Sequence, residues 1–251
     1  METHMPTRSL VLWDVDHTLI ETRGVGSAVF GDAFEKATGR PMSAGMARAH
    51  GETEPVLLEK TLSLNGISDR DDELFGRFAT AQAEAYRARL GELRSRGRAL
   101  PGVESALRAV AEDPAVVQSV LTGNTRTAAQ IKLSAFGLDD YLDLRIGAYG
   151  DDDAHRPNLV EFARTRAAER YGTLIGRGRT VLIGDTPNDI AAGKAAGVAV
   201  IAVASGASGL RDLVDAGADL VLQTLENADM RRHLAQVIAE RANGSGDDRR
   251  R

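Results

Sequence analysis

The chain has 251 residues, 43% of them hydrophobic but only 4% aromatic, with a net charge of −5 and no cysteine. That size and apolar content suit one large domain or a core domain with an insertion, its interior built mainly from Leu, Val, Ala and Ile. The acidic balance argues against non-specific nucleic-acid binding, which needs a basic face, and the lack of cysteine excludes disulfides and thiolate metal sites. The longest apolar run, Val198 to Ala204, is far short of the roughly 20 residues of a membrane span. Met1 to Arg8 lacks the apolar core of a signal peptide. A cytoplasmic protein without a membrane partner is expected.

The first element is Leu10-Val11-Leu12-Trp13, a short apolar run ending in Asp14 and Asp16. Such a run reads as a strand buried on both faces of a parallel sheet. If the extended backbone continues, the two acids share one side at the strand's C-terminal edge, where open α/β sheets bind ligands. From about Thr22 to Arg98 no strand is evident. Val25, Val29, Phe30, Ala33, Phe34 and Ala37 recur at helical spacing up to Gly39. A second helix enters through Pro55 and closes near Asn65-Gly66. A third, capped by Ser68 or Asp69, runs from Leu74 to Leu90. These residues read as an all-helical insertion.

After Pro101-Gly102 strands and helices alternate. The spacing predicts a helix over 103–111, a strand over 116–121, a helix over 127–136 and a short strand at Leu144-Arg145-Ile146. Helix 159–171, strand 180–184, helix 187–196 and strand 198–203 follow. The last are helix 210–216, a short strand at Leu220-Val221 and helix 230–242. This alternation implies a parallel sheet with helices on both faces.

Three of these strands end in polar residues. Val120-Leu121 leads into Thr122-Gly123-Asn124, a hydroxyl and two backbone amides before a helix, which is either an anion seat or an ordinary cap. Val181-Leu182-Ile183 leads into Gly184-Asp185-Thr186-Pro187-Asn188-Asp189, with Thr186 as N-cap, Pro187 at N1 and Asp189 in the first turn. Arg156 precedes Pro157 at another helix start, beside Asp151-Asp152-Asp153. Alone, it is a solvated cation or a partner for an anion. Together the motifs bring Asp14, Asp16, Asp185 and Asp189 to one edge, where four acids repel unless a cation joins them. Oxygen donors without cysteine suit a hard ion, Mg²⁺, and Mg²⁺ works with phosphate, for which Thr122, the amides and Arg156 supply contacts.

The order and spacing of the Asp-Val-Asp-His-Thr-Leu, Thr122, Arg156 and Gly-Asp-Thr-Pro-Asn-Asp motifs resemble the haloacid dehalogenase-like hydrolase superfamily. More narrowly, they resemble its phosphoglycolate phosphatase-like members with a helical cap. The resemblance covers about Arg8 to Leu222. It implies an α/β fold with a Rossmann-like core (8–20 and 99–242) and an all-helical cap inserted after the first strand (21–98); the polar residues 243–251 are expected as a disordered tail from their composition. It also implies a Mg²⁺-dependent phosphatase acting on a small phosphorylated metabolite as a monomer or homodimer. Asp14 would be the nucleophile and Asp16 the general acid and base. Thr122, Gly123 and Asn124 would bind phosphoryl oxygens, and Arg156 would neutralise charge. Asp14, the Asp16 carbonyl, Asp185 and Asp189 would hold the metal. Gly51-Glu52-Thr53 resembles the cap loop facing the substrate, with Glu52 and Thr53 as recognition residues; it also reads as a capping turn. Two positions depart from the family pattern. His17 replaces a glycine, as a tolerated change or an added side chain at the cap opening, and Arg156 replaces a lysine. A sugar-phosphate mutase and a phospho-aspartyl signalling domain are the alternatives.

Overall fold

A computed structural model of the protein describes residues 8–48, 51–68 and 71–244. In chain order these form β1 (Ser9–Trp13), β2 (Ile20–Glu21), α1 (Val25–Thr38), α2 (Glu54–Leu64), α3 (Leu74–Ala88), α4 (Leu90–Arg96) and β3 (Arg98–Ala99). Then come α5 (Val103–Ala111), β4 (Val116–Val120), α6 (Arg126–Ala135), α7 (Arg156–Tyr171), β5 (Thr180–Gly184), α8 (Pro187–Ala196), β6 (Ala199–Val203), α9 (Leu210–Ala216), β7 (Leu220–Leu222) and α10 (Met230–Gly244).

Five strands make one parallel sheet in the order β4-β1-β5-β6-β7. Strand β1 is buried at every residue because both faces of the sheet are covered. Val11 and Trp13 pack with Val103, Leu107, Met230 and Leu234 on one side. Leu10 and Leu12 pack with Leu159, Val160, Ala163 and Ile190 on the other. This explains the unbroken apolar run in the sequence. The chain passes from β1 to β4 on one flank and then crosses back past β1 to β5 on the other, so the topological switch point, where such sheets bind ligands, lies between the C-terminal ends of β1 and β5.

All of α1–α4 lies between two short strands, β2 and β3, which pair antiparallel through Ile20–Ala99 and Glu21–Arg98. The outgoing and returning chains therefore run side by side, a pairing too short to be visible in the sequence. The helical segment has an apolar cluster of its own, with Phe30, Phe34, Leu57, Leu62 and Phe78 at its centre. It meets the core through Val25, Val29, Tyr86 and Leu93, packed with Ala128 of α6.

Three local expectations change. Residues 144–146 form turns, and only an isolated bridge between Leu121 and Ala148 touches β4 nearby. The cause is the Asp143 carboxylate, which accepts the Arg145 backbone N–H and turns the chain. The third helix breaks at Arg89, and its N-cap position is Glu73; Asp69 lies outside the described residues. Helix α10 continues to Gly244, into the segment expected as a tail, and residues 245–251 lie outside the described residues.

Candidate active site

Strands β4, β1 and β5 are neighbours, with Trp13 in register with Val120 and Ile183. Asp14 and Asp185 each stand one residue beyond a strand end, and Thr122 two beyond. Adjacent strands lie about 4.8 Å apart, so this register alone brings the three side chains together. Asp189 joins them from the first turn of α8. Thr186 fixes it there by a capping box: Thr186 Oγ1 accepts from the Asp189 amide at 3.2 Å, and Asp189 Oδ2 accepts from the Thr186 amide at 3.1 Å. Gly184 makes room, since a Cβ there would lie 2.3 Å from Asp189 Cγ.

One carboxylate oxygen from each of Asp14, Asp185 and Asp189 falls within 4.8 Å of the others, and all three residues are buried. Burial first, then the neighbouring acids, pushes the Asp14 carboxyl up to about 7 against the pull of Arg156, and pushes Asp185 up to about 8. Arg156 is the cation facing the cluster. Its Nη2 lies 2.9 Å from Asp14 Oδ1 and donates to Asp189 Oδ1, and its Nη1 donates to the Gly51 carbonyl at 3.0 Å. Its Nε is buried without a partner, an unsatisfied donor of the kind native proteins rarely leave. Thr18 Oγ1 donates to Asp185 Oδ1 at 3.0 Å. Three buried acids against one guanidinium leave excess negative charge in a set of hard oxygen donors. This favours a hard ion such as Mg²⁺ and offers none of the thiolate or imidazole ligands that softer metals prefer.

Asp16 is not in that cluster. Its carboxylate turns the other way, onto Lys132 of α6, which the sequence reading missed. Lys132 Nζ lies 2.9 and 2.7 Å from the two Asp16 oxygens and 2.5 Å from Asn124 Oδ1. Asn124 Nδ2 donates to Asp16 Oδ2 and to Thr122 Oγ1, each at 2.7 Å. Burial would push the Asp16 carboxyl up, but the Lys132 ammonium and the hydrogen bonds from Lys132 and Asn124 outweigh it and hold the group below the usual carboxylate range.

A cavity of 330 Å³ opens over these residues. Asp14, Asp16, Thr122, Gly123, Asn124, Lys132, Arg156 and Asp185 line its core side, and Phe30, Met46, Leu57, Tyr86, Glu52 and Glu54 its helical side. Gly123 and Asn124 precede the α6 cap Thr125, so they form the approach to the helix rather than its first turn. Gly123 is needed for a close crossing, because a Cβ there would lie 2.1 Å from the Glu52 carbonyl. Glu52 reaches the cavity while paired with Lys60. Thr53 does not: its hydroxyl donates to the Ala154 carbonyl at 2.8 Å. Its neighbour Glu54 takes the place at the wall. Burial pushes Glu54 up to about 7, against Lys132 and the Gln82 hydrogen bond. His17 lines the mouth in the left-handed region at φ 62°, and its carbonyl accepts from Ser205 Oγ at 2.6 Å. No helix of the described residues is long and apolar enough to cross a membrane.

A sequence model described as haloacid dehalogenase-like hydrolase matches residues 9–197. The chain is 29% identical over 205 residues to "Probable phosphatase IndB" of Dickeya dadantii, covering 79% of this chain and 82% of the relative. It is 26% identical over 197 residues to "Phosphoglycolate phosphatase" of Neisseria meningitidis, covering 78% and 80%. A solved hydrolase from Pseudomonas syringae shares the fold with a TM-score of 0.65 at 22% identity, over 91% of this chain and 99% of that one.

Proposed function

We propose, from the premise that this chain belongs to the haloacid dehalogenase-like hydrolase family, that it is a Mg²⁺-dependent phosphatase acting on a small phosphomonoester through an aspartyl-phosphate. The observation that carries this reading is the separation of two acids that lie two residues apart in one motif. Asp14 faces Asp185, Asp189 and Arg156, whereas Asp16 faces Lys132 and Asn124. Two carboxylates in unlike surroundings are suited to unlike roles.

Asp14 attacks phosphorus, forming an Oδ–P bond as the ester P–O bond breaks. Asp16, carrying the proton it took from water in the preceding turnover, gives that proton to the departing alkoxide. In the second half, Asp16 takes a proton from water, the water oxygen bonds to phosphorus, and the Oδ–P bond breaks to free Asp14. Arg156 holds Asp14 aligned and offsets charge on the transferring group, and Thr122 and the loop at Gly123-Asn124 seat its oxygens. The Asp14 and Asp185 carboxylates and the Asp16 carbonyl would hold Mg²⁺, with Asp189 in support. Bound there, the ion neutralises charge on the phosphoryl oxygens.

Residues 21–98 act as a cap whose cavity wall meets the leaving group. A cavity of 330 Å³ suits a small metabolite in an enclosed site. The relatives' names agree with this chemistry. Phosphate release from p-nitrophenyl phosphate with Mg²⁺ tests the reading, alongside acid-quench mass spectrometry for a phosphorylated Asp14 peptide. Asp14→Asn is expected to lose both signals while keeping its fold. Turnover that survives in Asp14→Asn would sink the nucleophile assignment.

A further inference from the structure

The reaction as described uses one buried cation, Arg156, but the cavity holds two. Lys132 sits on the inward stripe of α6 between Ala128, Ala129 and Leu133, and is 4% exposed. A lysine there is costly unless its charge is matched. Here the match is complete. An ammonium carries three N–H donors, and three acceptors surround this one: both oxygens of Asp16 and Oδ1 of Asn124. Asn124 then turns its amide nitrogen to Asp16 and Thr122. The Tyr86 ring of α3 lies 5.4 Å from the ammonium and closes the remaining side.

The Asp16 side chain itself stays 34% exposed to the cavity. It lies beyond the strand, in an isolated bridge to Ile20 and just before a turn that opens with a residue of positive φ. Its χ angles are not set by the backbone, and Arg156, which holds Asp14, lies in the other cluster. A carboxyl that must meet a leaving oxygen and then a water at one place loses rate if it swings by about 1 Å.

We propose that Lys132 is the positioning residue of Asp16, gripping both carboxylate oxygens so that the carboxyl faces the leaving-group side of the cavity. This rests on the acid–base reading of Asp16 given above. Lys132 acts through Asp16 and need not touch the phosphoryl group.

The test uses full-length protein with Mg²⁺ and two esters of similar size, phenyl phosphate and p-nitrophenyl phosphate. Phenolate leaves poorly and needs a proton; p-nitrophenolate leaves well without one. Asp16→Asn, Lys132→Met, the double variant and Lys132→Gln are compared by kcat/KM. Lys132→Met is expected to lose about 100-fold on phenyl phosphate and about tenfold or less on p-nitrophenyl phosphate, the size of a lost proton transfer. In the Asp16→Asn background, adding Lys132→Met is expected to cost no more than about twofold, because coupled residues are not additive. Lys132→Gln, which keeps a donor to Asp16, is expected to recover part of the loss.

An equal loss on both esters, or a loss that multiplies in the double variant, would mean Lys132 only supports the fold and would overturn the proposal. Circular dichroism checks that each variant folds. If Lys132→Met does not, Lys132→Gln and the double variant, which leaves no unpaired buried charge, carry the same comparison. If Asp16→Asn itself shows no preference between the esters, the acid–base reading fails and this proposal with it. A preference at Asp16 with none at Lys132 overturns the positioning role alone.

Discussion

The floor of the cavity is placed by backbone and its roof by packing. Asp14, Asp185 and Thr122 follow the ends of three adjacent strands whose register is fixed by hydrogen bonds, and Asp189 is pinned by a capping box on the helix that follows. Phe30, Leu57 and Tyr86 stand on three separate helices, and Met46 on the loop between the first two, held to one another by apolar contacts. A floor of this kind holds charge in one arrangement and tolerates little change. A roof of this kind can be repacked without disturbing the groups below it. The division suits an enzyme whose reacting chemistry is constant and whose leaving group is set by the wall opposite.

Removing a floor charge is the most severe way to break this contrast. Arg156→Ala leaves Asp14 and Asp189 buried beside each other without their shared cation. Breaking a buried ion pair from one side costs about 3–5 kcal/mol, and turnover is expected to fall about 1,000-fold with the loss of a transition-state contact. Urea unfolding at neutral pH without divalent cations, paired with a phosphate-release assay, reads both. A variant as stable and active as the parent would show that the floor does not depend on this cation.

The next effect is the floor's response to pH and metal. Asp14 is held up to about 7 and Asp185 to about 8, first by burial. Both folded values lie above that of an unfolded carboxylate, near 4. The folded state therefore binds these protons more tightly, and the stability they confer is complete below about pH 4 and is lost as pH rises to about 8. Asp16 and Asp152, held low by Lys132 and Arg166 against the cost of burial, have the opposite sign, but their contribution is already present above pH 4. Without divalent cations the melting temperature is thus expected to drop across pH 5 to 8, and Mg²⁺ is expected to raise it more at pH 8 than at pH 5. Equal Mg²⁺ shifts at the two pH values would remove the carboxyl cluster as the metal's seat.

A roof change sharpens the contrast from the other side. Met46 is partly buried and lines the cavity. Met46→Ala opens that wall, and the ranking of a panel of phosphomonoesters by kcat/KM is expected to move by about tenfold, the usual scale of a changed apolar contact. The Mg²⁺-induced melting shift should stay that of the parent. A changed Mg²⁺ shift would mean that roof and floor are one mechanical unit.

The same division explains what was legible in the sequence. Each floor motif is local: an apolar run, an acid just past its end, and a capping residue or proline a few positions on. The sheet then supplies the long-range step without further information, because neighbouring strand ends must meet. Lys132 and Tyr86 carry no such motif. Lys132 lies eight residues beyond Asn124, mid-helix, and its one signal is a charge on the apolar stripe Ala128, Ala129, Leu133. The resemblance of Gly51-Glu52-Thr53 to a substrate-facing cap loop makes Thr53 a recognition residue, but the turn into α2 sends its hydroxyl to Ala154 and presents Glu54 to the cavity. The strand read at 144–146 failed because three apolar or long side chains say nothing of the Asx turn made by Asp143. The Ile20–Ala99 pairing depends on two dipeptides far apart in the chain, below any periodicity.

The smallest expected effect lies where floor meets roof, at His17. Its φ of 62° is left-handed, a conformation that costs a residue with a Cβ about 1 kcal/mol. Glycine removes that strain but gains freedom in the unfolded chain, worth about 0.4–1 kcal/mol in the other direction. His17 is exposed, and the hydrogen bonds that hold the turn use its backbone: the amide donates to the Ile20 carbonyl at 2.7 Å, and the carbonyl accepts from Ser205. Both survive the change. His17→Gly is therefore expected to stabilise by about 0.5 kcal/mol or less, about 1–2 °C in melting temperature for a chain of this size. A drop of several degrees would instead show that the imidazole packs against the 205–208 loop and belongs to the wall of the cavity.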